Sequence, residues 1–236
     1  MTVTIVFDMD DTLYLERDYI RSGIAAVDRW AQSALGLEGL GIIARSLVDA
    51  RQYGKLFDAA LAKLGAPIDP SIIGQMVSVY RAHAPDIRLA PDALAFLKAG
   101  HDYGFALISD GFSIAQHAKV DALGLPGFGL DPIICTDDWG RDYWKPHRRA
   151  YEAVQAAHAA RSTRFIYVAD NPAKDFLTPR ALGWATVQID RPQAVHGRTA
   201  PSDAHRPHLV IHSFDQLSED IIASLLANLS PTEHMA

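Results

Sequence analysis

Residues 3–12 read Val3-Thr4-Ile5-Val6-Phe7-Asp8-Met9-Asp10-Asp11-Thr12. Five apolar or β-branched residues in a row, stopped by acids, predict a short strand buried on both faces. Two acids two residues apart sit at its carboxyl end. If the extended conformation persists, Asp8 and Asp10 leave the same side of the chain. Thr12 and Leu13 begin the turn out of the strand. Asp and Thr also favour turns and helix N-caps, so this stretch gains its meaning from the remainder of the chain.

From Glu16 to Ala84 the pattern is helical: Ile20, Ile24, Val27, then Leu47, Leu56, Ala60, Leu64, Ile72, Met76 and Tyr80 recur at helical spacing. Glycines 36, 39 and 41 and the stretch Ala66–Pro70 punctuate it. Beyond it, strand and helix alternate. Strands are expected at 105–109, 132–135, 165–169, 185–189 and 208–212. Helices are expected at 91–99, 113–123, 147–160, 174–182 and 215–226. Apolar strands alternating with helices predict a parallel sheet covered on both faces. The expected fold class is therefore α/β: a Rossmann-like parallel sheet core, residues 1–14 and 87–230, with an all-helical cap subdomain, residues 15–86, inserted after the first strand.

The chain has 236 residues, 49% hydrophobic and 21% charged, an ordinary globular composition. Its 28 acids against 22 bases give a formal charge of −6. Nucleic acid is not expected as a partner, because its backbone is bound mainly by Lys and Arg. No apolar run approaches the roughly 20 residues of a membrane span. The opening residues lack the basic start of a signal peptide, so the cytoplasm is the expected location. One cysteine, Cys135, excludes an intrachain disulfide framework. No oligomeric interface is read from the sequence.

In open parallel sheets, ligands bind beyond the carboxyl ends of the strands. Those positions carry Asp8-Met9-Asp10, Ser109-Asp110-Gly111, Asp137-Asp138 and Asp170-Asn171-Pro172-Ala173-Lys174-Asp175, with Lys145-Pro146 between the last two. Two unit charges 4 Å apart repel by about 4 kcal/mol at an effective dielectric of 20. Acids gathered there call for a divalent cation, and an all-oxygen set favours Mg²⁺. Asp137 and Asp138 are expected to line a solvated loop instead. Gly39-Leu40-Gly41-Ile42-Ile43-Ala44 matches a dinucleotide-binding pattern but comes after a helical segment, not a strand, and is set aside. His208 and His212, in a strand, lie roughly 13 Å apart, too far to share one ion.

These motifs, in this order, resemble the haloacid dehalogenase-like superfamily of phosphohydrolases. D-x-D-x-T is Asp8 to Thr12. The apolar strand ending in a hydroxyl is Leu107-Ile108-Ser109, with Asp110-Gly111 next. The lysine is Lys145, and the D-x-x-x-x-D pair is Asp170 and Asp175. Helices between the first two motifs mark the C1-capped branch. Ala169 stands where the fourth motif often has glycine, and Asn171 where some relatives have an acid.

The resemblance implies that Asp8 is the nucleophile and Asp10 the general acid and base. It implies Mg²⁺ held by the Asp8 carboxylate, the Asp10 carbonyl, Asp170 and Asp175, the last directly or through water. Ser109, the backbone of Asp110 and Gly111, and Lys145 would bind phosphate. Tyr14 and Arg17, just past the first motif, are candidate substrate contacts. The implied function is Mg²⁺-dependent hydrolysis of a small phosphorylated metabolite, a sugar phosphate or a nucleoside monophosphate. Dehalogenases of the family lack the second aspartate, because halide departure needs no proton. A phosphomutase shares the phosphoaspartate. A phospho-accepting signalling module shares the carboxylates, hydroxyl and lysine, but the helical insert argues against it.

Overall fold

A computed structural model describes residues 2–195, 197 and 199–229. Residues 1 and 230, the outer bounds expected for the core, lie outside the described residues. The chain divides into two units, residues 17–87 and the remainder. The expected divisions fell after residues 14 and 86.

The larger unit is built on six parallel strands: β1 (Thr2–Phe7), β2 (Tyr103–Ser109), β3 (Leu130–Cys135), β4 (Ser162–Ala169), β5 (Ala185–Ile189) and β6 (Leu209–Ile211). Their spatial order is β3-β2-β1-β4-β5-β6. The chain builds outward from β1 to one side, then crosses to the other, so strand order reverses beside β1. A parallel α/β sheet opens its ligand crevice at such a reversal. Register aligns the strand ends: Phe7 pairs with Leu107 and with Val168, and Ser109 with Cys135.

Side-chain alternation gives the sheet two different faces. On one, Val6, Ile108, Tyr167 and Trp184 pack with Tyr151 and Val154 of the helix Arg149–His158. On the other, Phe7 meets Phe105, Phe214 and Phe96 with ring centroids 5.6, 5.8 and 6.2 Å away.

In the smaller unit, the helices Glu16–Leu35, Leu40–Asp49, Leu56–Leu64 and Pro70–Ala82 occupy the predicted helical region. A Cβ on Gly23 would lie 2.4 Å from the Tyr80 ring, so glycine lets the first and fourth helices approach. Gly41 N–H donates to Asp28 at 2.7 Å. The dinucleotide-like glycines thus start a helix and receive an acidic side chain.

The strands β2, β3 and β4 start two to three residues earlier than the sequence reading, and three helices differ from it. The helix expected at 174–182 spans only Leu177–Ala181, because the Asn171 carbonyl accepts from both Lys174 and Asp175 N–H and folds the segment into a turn. The last helix starts at Glu219 rather than 215, behind the N-cap Ser218, and a short 3₁₀ turn occupies Phe214–Gln216. The helix expected at 147–160 is Arg149–His158. The helix Ser113–Leu123, α6 in chain order after Pro91–Lys98, matches the expected span.

Candidate active site

Asp8 N–H still donates to Val168 O at 2.9 Å, so the ladder carries Asp8 to the same side as Val6. The chain then turns: Thr12 and Leu13 N–H both donate to Met9 O. Asp11 adopts φ 54°, a left-handed conformation that aspartate tolerates better than most residues. The extended conformation therefore does not persist to Asp10. The turn separates the two acids onto different partners.

The Asp8 carboxylate meets Lys145, with Nζ 2.5 Å from Oδ1. The same ammonium lies 2.8 Å from Asp175 Oδ1 and donates to the Tyr167 hydroxyl at 3.0 Å. Burial disfavours its charge, but Asp175 and Asp8 outweigh burial and hold its pKa well above the usual lysine range. Thr12 Oγ1 is 3.3 Å from Asp8 Oδ2.

Asp8, Asp170 and Asp175 bring one oxygen each to within 4.8 Å of one another, all three residues buried. Burial, then the charges of Asp8 and Asp175, push the Asp170 carboxyl well above its usual range. Burial also pushes Asp8 up, against the pull of Lys145. Asp175 goes the other way, because Lys145 and Lys174 outweigh its burial. Asp8, Asp170 and Asp175, with Asp110 beside them, face only Lys145 and Lys174, so the negative groups outnumber the positive ones. An all-oxygen donor set with that imbalance fits one hard divalent cation.

Asp10 faces the other way. Its oxygens receive Lys119 Nζ at 2.7 and 2.9 Å, Gln116 Nε2 at 3.0 Å and the Tyr14 hydroxyl. Burial raises its pKa, but the Lys119 charge and these hydrogen bonds outweigh burial and lower it. Ser109 is fully buried and accepts from Gln116 at 2.8 Å. Asp110 serves as a brace: its carboxylate accepts from Thr136 Oγ1 at 2.7 Å and Lys145 N–H at 3.1 Å, with Lys174 Nζ 3.3 Å away. Gly111 has φ 135°, and a Cβ there would lie 2.9 Å from Gln116.

The structure thus joins Asp8, Lys145, Asp170 and Asp175 directly, and Asp10 with Ser109 through Gln116. Tyr14 is fully buried behind Asp10 rather than on an open surface. Arg17, in the helical unit, lies 3.8 Å from Asp49. The Asn171 side chain accepts from Ala173 N–H and shapes the turn. Asp137 accepts from Ser113 N–H and Trp144 Nε1, and Asp138 from Ser113 Oγ, all on the loop beside α6.

Sequence reasoning missed Gln116, Lys119, Tyr167 and Arg191. Arg191 donates to Thr12 O at 2.8 and 3.0 Å and braces the turn after β1. Gln116 and Lys119 had one available signal: two polar residues three apart on the otherwise apolar stripe of Ala115, Val120 and Leu123.

Comparison with known proteins places the chain in one family. The family model for haloacid dehalogenase-like hydrolases matches residues 2–183. A curated relative, glyceraldehyde 3-phosphate phosphatase of Methanocaldococcus jannaschii, is 28% identical over 193 residues, covering 78% of this chain and 83% of its own. Among solved structures, a Bacillus subtilis HAD hydrolase bound to magnesium superposes with a TM-score of 0.63 at 16% identity, covering 93% of this chain and 98% of that one. A 2-haloacid dehalogenase of Pseudomonas syringae superposes with 0.62 at 20% identity, covering 95% and 99%. At these identities the two structures speak for the fold.

Proposed function

Because the chain belongs to the haloacid dehalogenase-like hydrolases, we propose that it is a Mg²⁺-dependent phosphatase of small phosphorylated metabolites. The observation that carries this reading is the second carboxylate. Asp10 is present and held by a lysine of its own, separate from the Asp8–Lys145 pair. Halide departure needs no proton, whereas an alkoxide leaving a phosphate monoester does. A sugar phosphate is the first candidate, in line with the named activity of the curated relative. In this reading the inserted helical unit is the cap.

In the first step Asp8 attacks phosphorus. The Asp8 O–P bond forms while the bond from phosphorus to the substrate oxygen breaks. That oxygen takes a proton that the Asp10 carboxyl has taken up from solvent in the substrate complex, and leaves as an alcohol. In the second step water attacks the aspartyl-phosphate and Asp10 takes its proton. The Asp8 O–P bond breaks, releasing inorganic phosphate. Lys145 neutralises Asp8 and the phosphoryl group, and Ser109 with the Asp110 and Gly111 backbone binds phosphate oxygens. Asp8, Asp170, the Asp10 carbonyl and Asp175 would hold Mg²⁺, which supplies the positive charge that lets an anionic carboxylate approach a phosphate dianion.

The test is a screen of phosphorylated metabolites for inorganic phosphate release, beginning with glyceraldehyde 3-phosphate, with Asp8→Asn as the blank. Release in Mg²⁺ that stops in excess chelator is expected. Halide release from 2-haloacids without phosphate release from any monoester would sink the reading.

A further inference from the structure

We infer that Gln116 and Lys119 on α6 are positioning residues for Asp10, tying the proton-handling carboxylate to the phosphate-binding end of β2. The inference rests on the phosphatase reading above and deepens it. The two residues lie three apart, on one face of the helix, and both are nearly fully buried. Lys119 Nζ straddles the Asp10 carboxylate, 2.7 and 2.9 Å from its two oxygens.

Gln116 reaches three groups at once. Its Nε2 lies 3.0 Å from Asp10 Oδ2 and 2.8 Å from Ser109 Oγ, and it also donates to the Asp110 carbonyl. Two of these partners are oxygens without hydrogens, which fixes the amide with nitrogen toward them. With two hydrogens for three acceptors, the amide shares one of them with Ser109 Oγ; its nitrogen accepts nothing, so the Ser109 hydroxyl hydrogen is left to point at a phosphate oxygen. Gly111 makes this reach possible, since a Cβ there would occupy the path of the Gln116 side chain.

The helix carrying both residues is itself anchored. Ser113 N–H donates to Asp137 at 3.0 Å, and His117 Nε2 lies 3.0 Å from Asp138. One rigid element thus holds the acid and the hydroxyl in a single frame. The amide carbonyl of Gln116 is buried with no hydrogen-bond partner among the described residues. Its side chain is placed for what its nitrogen holds, at a cost to stability.

A purely structural lysine and glutamine would affect all substrates alike, whereas residues that aim a general acid should matter in proportion to the need for a proton. The experiment compares kcat/KM for glyceraldehyde 3-phosphate, or whichever alkyl phosphate leads the screen, with that for p-nitrophenyl phosphate, whose leaving group departs without protonation. Lys119→Met and Gln116→Met should each lower kcat/KM about 100-fold for the alkyl phosphate and less than about tenfold for the nitrophenyl ester, as expected of a mispositioned general acid. Asp10→Asn should show the same split, and adding Lys119→Met to it should cost little more. Lys119→Arg should recover part of the alkyl phosphate rate.

Should Lys119→Met not fold, Gln116→Met carries the test. It substitutes an apolar chain of similar length and leaves Lys119 on Asp10, so the variant should stay folded by circular dichroism while the split persists. Equal losses on both substrates in folded variants, or losses that multiply in the double variant, would overturn the inference. A wild-type protein inert toward both esters overturns the phosphatase reading and this one with it. An active wild type whose variants lose both substrates equally overturns this one alone.

Discussion

The two sides of the site solve the same electrostatic problem in opposite ways. On the Asp8 side, Asp8, Asp170 and Asp175 crowd together, and Lys145 is shared between two of them. Two of these carboxyls are pushed up by burial, so the cluster is short of positive charge. On the Asp10 side, one carboxylate has a lysine across both oxygens, an amide and a phenol, and its pKa is lowered. On the proposed reading, the first side accepts a cation and a phosphoryl group. The second is complete in itself and holds one acid still. Two positions in sequence separate Asp8 from Asp10, and the turn at Met9 converts that small separation into two environments.

The largest expected effect falls on the Asp8 side. Asp8→Asn should cost on the order of 10⁵-fold in turnover, as removal of a nucleophile does. In chelator it should leave the denaturation midpoint nearly unchanged, because Lys145 keeps Asp175. Turnover within tenfold of wild type would remove Asp8 as the nucleophile.

Asp10→Asn should do the reverse in stability. Removing one partner of a buried ion pair costs about 3–5 kcal/mol, so urea unfolding in chelator should show a clear loss against Asp8→Asn. The pH dependence separates the two acids further. Asp10, with a lowered pKa, contributes stability present above its unfolded value of 3.8 and lost as pH falls through its folded value. Asp8, with a raised pKa, contributes stability present below 3.8 and lost as pH rises. The Asp10→Asn deficit should therefore shrink on acidification below pH 4. A deficit independent of pH, or equal in both variants, would erase the contrast between the two sides.

A smaller effect is expected from Tyr14→Phe. It removes one hydroxyl from Asp10 and leaves Lys119 and Gln116 in place. A single hydrogen bond to a charged group is worth about 1.5–3 kcal/mol, and Lys119 and Gln116 still hold the carboxylate, so a loss at the low end of that range, roughly tenfold in kcat/KM for an alkyl phosphate, is expected. Direct substrate contact by Tyr14 would instead appear as a raised KM with kcat unchanged.

The same contrast divides what the sequence made legible. Asp8, Ser109, Lys145, Asp170 and Asp175 each come after a strand or precede a proline turn, so apolar strand boundaries locate them without any knowledge of packing. The parallel sheet and the helical insert were legible for the same reason, since both rest on hydrophobic period. Gln116 and Lys119 sit inside a helix, where a polar residue on the buried stripe looks like an imperfect pattern. Their meaning depends on Asp10, more than a hundred residues away in sequence. The early start given to the last helix and the long helix given to Lys174–Leu182 failed on local hydrogen bonds: the Ser218 cap and the Asn171 turn. Side-chain competition with the backbone decides such boundaries, and hydrophobic period does not register it.

The smallest effect tests whether the Asp10 side is as rigid as its hydrogen bonds imply. Cys135 ends β3, in register with Ser109, and is buried. Burial, then the charge of Asp138, pushes its thiol up to about 12. At pH 8 only about one part in 10⁴ would be thiolate, the form that alkylates. If α6 and the loop holding Asp137 and Asp138 stay in place, iodoacetamide should modify Cys135 no faster than the protein unfolds globally. The rate should then track denaturant along the whole unfolding curve. If α6 swings away from the sheet in the native state, modification should proceed in the absence of denaturant with little dependence on it. That second result would mean that Lys119 and Gln116 release Asp10 as part of the working cycle, and the static frame drawn around that acid would have to be replaced by a moving one.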